Sequence, residues 1–252
     1  MVIWETLAIA FSMFSAVPMP QVPWNEKNMR YALCAFPLVG ALIGALCWLW
    51  VRLCGLLSLP AVLRGVGLCL LPVLLTGGIH LDGFADTCDA LACHGDREQK
   101  QQILKDPHLG AFAAIGLCVY FLASFGFWTA LPVFPGAAVL LGFCLSRTLS
   151  ALALCCFPLR PGSGLARSFA DAADKRAVKR VLLALLIALI AGLLTCGGWV
   201  MLPAAAVVFF AYRRMATGFG GLSGDLAGWF VQTAELWMLI ALCLWQYGEA
   251  LL

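Results

Sequence analysis

The chain has 252 residues, 63% of them hydrophobic and only 12% charged, with a mean hydropathy of +0.94. Soluble domains lie nearer to about 45–50% apolar and 25% charged, so a water-soluble globule is excluded and a polytopic membrane protein is indicated. A net charge of +3 with no basic stripe outside the loops excludes a nucleic-acid surface as well.

A membrane-crossing helix needs about 20 apolar residues. Residues 3–17 fall short of this, carry Glu5 and run into Pro18 and Pro20, a pattern that predicts a short interfacial or re-entrant helix. The same stretch lacks the basic start and small-residue cleavage site of a secretory signal, so it is expected to stay attached. Seven apolar spans follow, at 31–54, 60–78, 111–134, 136–158, 181–202, 203–221 and 233–252. Pro18, Pro20 and Pro23 keep the first loop extended, and residues 171–180 alternate charge with alanine as a short surface helix does. No internal repeat or long linker divides the chain. The expected fold is therefore an all-α, polytopic integral membrane helical bundle of about seven transmembrane helices plus the short N-terminal helix, as one domain over residues 1–252.

Eleven of the sixteen Lys and Arg residues fall in three stretches: Lys27 and Arg30; Arg97, Lys100 and Lys105; and Arg160, Arg167, Lys175, Arg176, Lys179 and Arg180. Cytoplasmic loops carry the Lys/Arg excess, which predicts a multi-pass protein with these loops facing the cytoplasm. The motif-bearing loops at 79–110, 159–180 and 220–232 share that face. The twelve cysteines form no CxxC pair and read as small apolar packing residues. Cys88, Cys93 and His94 would make at best a partial zinc site.

The chemistry is concentrated in Asp82, Asp86 and Asp89. At 100° per residue, positions i, i+4 and i+7 share one helix face, and three carboxylates there need a positive partner. A divalent cation with oxygen ligands fits, and Mg²⁺ is the default ion. Lys105 and Asp106 stand where the chain re-enters the membrane, as either interfacial anchors or phosphate and metal contacts. Arg147 lies mid-span, where burial of a guanidinium costs at least ~2.5 kcal/mol, so it should pair with an aspartate or a substrate phosphate, the phosphate being favoured. Gly220, Gly221 and Gly224, followed by Asp225, suit either a phosphate-cradling loop or a helix break, and Arg160 with Gly162 and Gly164 shares the ambiguity. His80 either orients a carboxylate, protonates a leaving group or is structural. Asp96, Arg97, Glu98 and Lys100 read as a solvated helix face. Acids, bases and glycine turns at one membrane face describe metal-assisted phosphoryl transfer.

The run Gly77-Gly78-Ile79-His80-Leu81-Asp82-Gly83-Phe84-Ala85-Asp86-Thr87-Cys88-Asp89, then Lys105-Asp106 with Gly110, Arg160 before a glycine pair, Gly220-Gly221-Leu222-Ser223-Gly224-Asp225, and Phe14 to Pro20 near the start together resemble the adenosylcobinamide-GDP ribazoletransferase (cobalamin synthase) family. The resemblance implies an inner-membrane enzyme in which a ribose hydroxyl of α-ribazole, or of its 5′-phosphate, attacks adenosylcobinamide-GDP and releases GMP. It implies Mg²⁺ on Asp82, Asp86 and Asp89, with Asp106 and Asp225 as further acidic ligands. Lys105, Arg147, Arg160, Gly220, Gly221 and Gly224 would bind substrate, and Asp89, His80 and Lys105 would serve the chemistry. Ala90 and Pro107 depart from the family pattern, which has glycine and serine there. Partners are then the two substrates and the lipid bilayer, with homo-oligomerisation left open. Two rivals differ in pattern: a CDP-alcohol phosphotransferase begins Asp-Gly-x-x-Ala-Arg, whereas Asp82-Gly83-Phe84-Ala85-Asp86 here places an acid early and no arginine, and a transporter would place acids near the midplane and on both faces.

Overall fold

The computed structural model describes residues 2–162 and 164–251 and is all-helical apart from one isolated β-bridge. Twelve helices follow in order: α1 (Val2–Phe14), α2 (Glu26–Met29), α3 (Ala32–Leu56), α4 (Ala61–Thr76), α5 (Ile79–Ala92), α6 (Arg97–Ile103), α7 (Ala111–Ala130), α8 (Gly136–Cys156), α9 (Gly164–Ala172), α10 (Lys175–Thr195), α11 (Met201–Phe219) and α12 (Gly224–Glu249). Five of them, α3, α7, α8, α10 and α12, are long and apolar enough to cross a membrane, and α4 with α5 forms a sixth candidate bent by 95°. The protein is thus a multi-pass membrane protein, with five or six such spans among the described residues in place of the seven expected.

The difference has local causes. Span 203–221 becomes α11, which carries Arg213 and Arg214 in its second half and is not among the helices apolar enough to cross. Span 60–78 is cut short because Gly77 and Gly78 both adopt left-handed backbone, φ 63° and 78°, and turn the chain into α5. Such φ values are natural to glycine alone. The surface helix expected at 171–180 does not exist as such. Asp174 instead caps α10, its side chain accepting from Ala177 N–H and pairing with Arg30 at 2.8 Å, so Lys175 to Arg180 are the first turns of a long apolar helix. These contacts hold the Asp174 carboxyl below the usual range, the Arg30 hydrogen bond most of all. Helix α1, with thirteen residues, spans about 20 Å, too little for a bilayer core. It packs against α3 through Ala8, Ile9 and Ala10, all fully buried.

Helices alternate in direction, so the α3, α7, α10 and α12 N-termini meet the α4, α8 and α11 C-termini at one end of the bundle. Hydrogen bonds tie that end together: Ala16 N–H to the Leu75 carbonyl (2.8 Å), Arg160 N–H to the Leu222 carbonyl (2.9 Å) and Leu222 N–H to the Pro158 carbonyl (2.9 Å). At the opposite end Gln246 bridges to the Val133 backbone and the Tyr247 hydroxyl donates to the Ala130 carbonyl. Helix α5 lies unusually close to α12. A Cβ on Gly83 would stand 2.8 Å from the Asp225 Cα, and one on Gly228 would stand 2.6 Å from the His80 carbonyl oxygen. Small residues at both crossing points let the two backbones approach, as is usual between helices in lipid.

Candidate active site

The α5–α12 crossing sets the site. Because Gly83 rests on the Asp225 backbone, Asp82 and Asp86 on α5 come to lie beside Asp225 in the first turn of α12, and Asp86 stands in the electrostatic field of Asp82, Asp225 and Asp89. Among the described residues the ion pairs leave Asp82 and Asp86 out. Asp82 is exposed and Asp86 half-buried.

A cavity of about 370 Å³ opens beside this crossing. Its lining includes Asp82, Arg160, Ser223, Gly224 and Asp225, together with Phe14, Phe36, His80, Ser150 and Phe169. Arg160 is 4% exposed, with one guanidinium nitrogen 3.8 Å from an Asp225 oxygen, while Nε and Nη1 are buried without a partner. Buried polar atoms left unpaired cost about 1–3 kcal/mol, so a guanidinium presented this way is set to receive an anion. Ser223 caps α12, accepting from Leu226 N–H and donating to Asp225. The N-terminus of this 26-residue helix adds a favourable field for negative charge. On the other side of α5, an open groove of about 520 Å³ runs along Gly77, Gly78, Leu81, Asp82, Leu109 and Leu117. Asp82 borders both spaces.

The three aspartates do share a face of α5, yet they do not share a task. Asp89 turns away: its two carboxylate oxygens accept from Gly110 N–H and Ala113 N–H, each at 2.8 Å, and so cap the start of α7. Among the described residues no three His, Cys, Asp or Glu side chains are gathered into a metal cage, Cys88, Cys93 and His94 included. The donor set nevertheless fits an open Mg²⁺ site, since that ion takes one or two carboxylates and fills its shell with water and substrate phosphate. Asp82, Asp86 and Asp225 lie near one another, and among the described residues the one cation paired with any of them is Arg160, on Asp225.

The other sequence candidates divide. Gly224 lines the cavity, with open space where a Cβ would stand. Gly220 and Gly221 do not line it. Gly220 ends α11 at φ 80° beneath the Arg97 guanidinium, and Gly221, at φ 131°, lets the chain press against the Arg160 backbone. Their closest neighbours are the Arg97 side chain and the Arg160 backbone. Arg97 therefore belongs partly to this packing, as does Gln101, which donates to the Phe219 carbonyl at 2.7 Å, so α6 is more than the solvated face expected of it. Lys105 and Asp106 are exposed near the cavity rim, next to Leu104 in its wall. Asp106 is held below the usual carboxylate range by the His108 backbone N–H (3.0 Å) and then by its ring Nδ1 (2.7 Å). His80 contacts no aspartate. It is buried, stacks on Phe36 with centroids 5.5 Å apart, and leaves Nδ1 unpaired at the cavity wall. Ser163, in the glycine pair after Arg160, lies outside the described residues.

Arg147 takes neither of the partners expected. It is fully buried in α8 and pairs with Glu235 of α12, a residue the sequence reading passed over, while Ser146 donates to the same carboxylate at 2.7 Å. An acid near the start of the apolar span 233–252 was the available signal, because an ionisable group in such a segment must find a partner. Ser150, Ser223 and the three cavity phenylalanines were also missed as site residues.

A polytopic helical membrane protein with an acid-flanked, arginine-bearing cavity at one end defines a class suited to handling phosphorylated substrates. Comparison with known sequences then fixes the family. The family model described as cobalamin-5-phosphate synthase matches residues 6–243. The chain therefore belongs to that family, whose members are transferases of cobalamin biosynthesis. Among curated relatives, proteins named adenosylcobinamide-GDP ribazoletransferase are 40% identical in Lachnoclostridium phytofermentans (92% of this chain, 90% of the relative) and 39% in Pseudomonas putida strain GB-1 (94% and 97%). One from Clostridium botulinum strain Alaska E43 is 29% identical (96% and 98%). No solved structure matches.

Proposed function

We propose that the protein transfers the adenosylcobinamide phosphate group from adenosylcobinamide-GDP to α-ribazole or α-ribazole 5′-phosphate, in a Mg²⁺-dependent reaction at the cytoplasmic face of the inner membrane. The observation that carries this reading is Arg160, buried with two unpaired guanidinium nitrogens in the same cavity as Asp82 and Asp225. The names of the relatives supply the substrates, and the basic loops at this end of the bundle supply the orientation.

In the transfer, the acceptor's ribose hydroxyl oxygen forms a bond to the phosphorus that carries cobinamide. The bond from that phosphorus to the oxygen bridging to GMP breaks, and GMP leaves with the electron pair. Asp225, on the cavity side, takes the hydroxyl proton. Arg160 and the α12 N-terminus hold diphosphate oxygens, and Lys105 at the rim adds positive charge as the donor enters. Asp82 and Asp86 would hold Mg²⁺, which when bound neutralises charge on the diphosphate. Asp89 acts at one remove, by fixing α7 against α5.

Membranes carrying the protein, incubated with adenosylcobinamide-GDP and α-ribazole 5′-phosphate, should release GMP and form a complete corrinoid with Mg²⁺ present and not after chelation. Absence of product in both conditions overturns the reading.

A further inference from the structure

The lining of this half-open cavity is of two kinds. One is charged, as described. The other is a continuous aromatic series: Phe169 packs on Phe14 with centroids 5.5 Å apart, Phe14 on Phe36 at 4.2 Å, and Phe36 on His80 at 5.5 Å. Trp24 backs Phe169 from outside at 5.9 Å, so the first loop and α9 close the cavity together. Only two polar side-chain atoms on this wall are buried without a partner, His80 Nδ1 and Ser150 Oγ, on residues 6% and 1% exposed. Leaving both unpaired is costly unless a ligand completes them.

We propose that this cavity is the acceptor compartment. Its aromatic wall receives a flat, weakly polar heterocyclic base, with His80 and Ser150 as that base's polar contacts and the attached ribose directed toward Asp82 and Asp225. The donor approaches from the open groove on the other side of α5, where its corrin and guanine stay, and only its diphosphate passes Asp82 to meet Arg160 and the α12 N-terminus. The proposal rests on the transfer reaction above and adds which substrate occupies which space.

Chemistry and size both favour this arrangement. A guanine base carries donors and acceptors along its whole edge, and two polar atoms among phenylalanines would leave most of them unmet. A benzimidazole-type base carries few and gains from ring contacts. The volume of about 370 Å³ is near the lower end of the ~300–1,000 Å³ usual for small-molecule sites, room for one nucleoside and not for a corrin macrocycle with its nucleotide. The open groove imposes no such limit.

The test is a two-substrate kinetic analysis of the full chain in membranes, with KM read separately for adenosylcobinamide-GDP and for α-ribazole, and with equilibrium dialysis of α-ribazole alone as a second readout. Phe169→Leu and Ser150→Ala, conservative changes chosen to preserve folding, should each raise the acceptor KM and weaken α-ribazole binding about tenfold while leaving the donor KM within about twofold. Leu117→Trp in the groove should raise the donor KM alone. If wild-type protein turns over but the cavity variants shift the donor KM instead, or neither KM, the compartment assignment is overturned. If wild-type protein releases no GMP with both substrates present, the transfer reading itself falls, and the proposal with it.

Discussion

Arg147 and Glu235 form a buried ion pair between α8 and α12, with Arg147 fully buried and also donating to the Phe143 carbonyl and the Ser146 hydroxyl oxygen. The pair locks the helix that carries Asp225 to the helix that packs most intimately on α3. Removing one partner of such a pair leaves an uncompensated buried charge, at a cost of about 3–5 kcal/mol. Glu235→Leu alone should therefore strip stability from the detergent-solubilised protein. Arg147→Met with Glu235→Leu should recover most of it, which thermal melts of the three variants will show.

Asp89 should behave as a helix cap. Losing its two acceptors from α7 in Asp89→Ala should lower stability by about 1–2 kcal/mol, the usual worth of a capping side chain. The folded remainder should keep a measurable rate of GMP release. A melt together with a rate measured below the melting transition separates this from loss of a metal ligand.

Gly83 is the spacer at the α5–α12 crossing. A side chain at Gly83→Val would meet the Asp225 backbone, an overpacking that costs about 1–3 kcal/mol and forces Asp225 away from Asp82. Turnover should fall by more than tenfold even where protein accumulates in the membrane. Titrating GMP release against the amount of inserted protein measures this.

Arg160 presents a planar fork that lysine does not reproduce. Arg160→Lys should raise the KM for adenosylcobinamide-GDP about tenfold or more, with a smaller effect on the acceptor KM. Initial rates at fixed acceptor concentration test it.

Some of this was legible in the sequence and some was not, for physical reasons. Helical periodicity placed Asp82, Asp86 and Asp89 on one face, and hydropathy gave most of the spans. The partners of Asp89 were hidden, because the Gly110 and Ala113 amides lie 21 and 24 residues away and a backbone N–H has no sequence signature. Arg147 announced its need for an anion, but its choice of Glu235 depended on how α8 and α12 face each other. Seven spans were expected where five or six stand among the described residues, because apolar content alone does not register the double left-handed turn at Gly77 and Gly78 or weigh the two arginines within α11. Gly220 and Gly221 looked like a ligand cradle, although their contacts are with Arg97 and the Arg160 backbone, relationships set by tertiary packing.

The central claim is that Asp82, which borders both the cavity and the open groove, is where the two substrates meet. The most direct measurement is GMP release from adenosylcobinamide-GDP with α-ribazole 5′-phosphate and Mg²⁺, by membranes carrying equal amounts of wild-type and Asp82→Ala protein. The expected result is a loss of at least a hundredfold in rate with membrane insertion and melting temperature unchanged. GMP release by Asp82→Ala at the wild-type rate would contradict it.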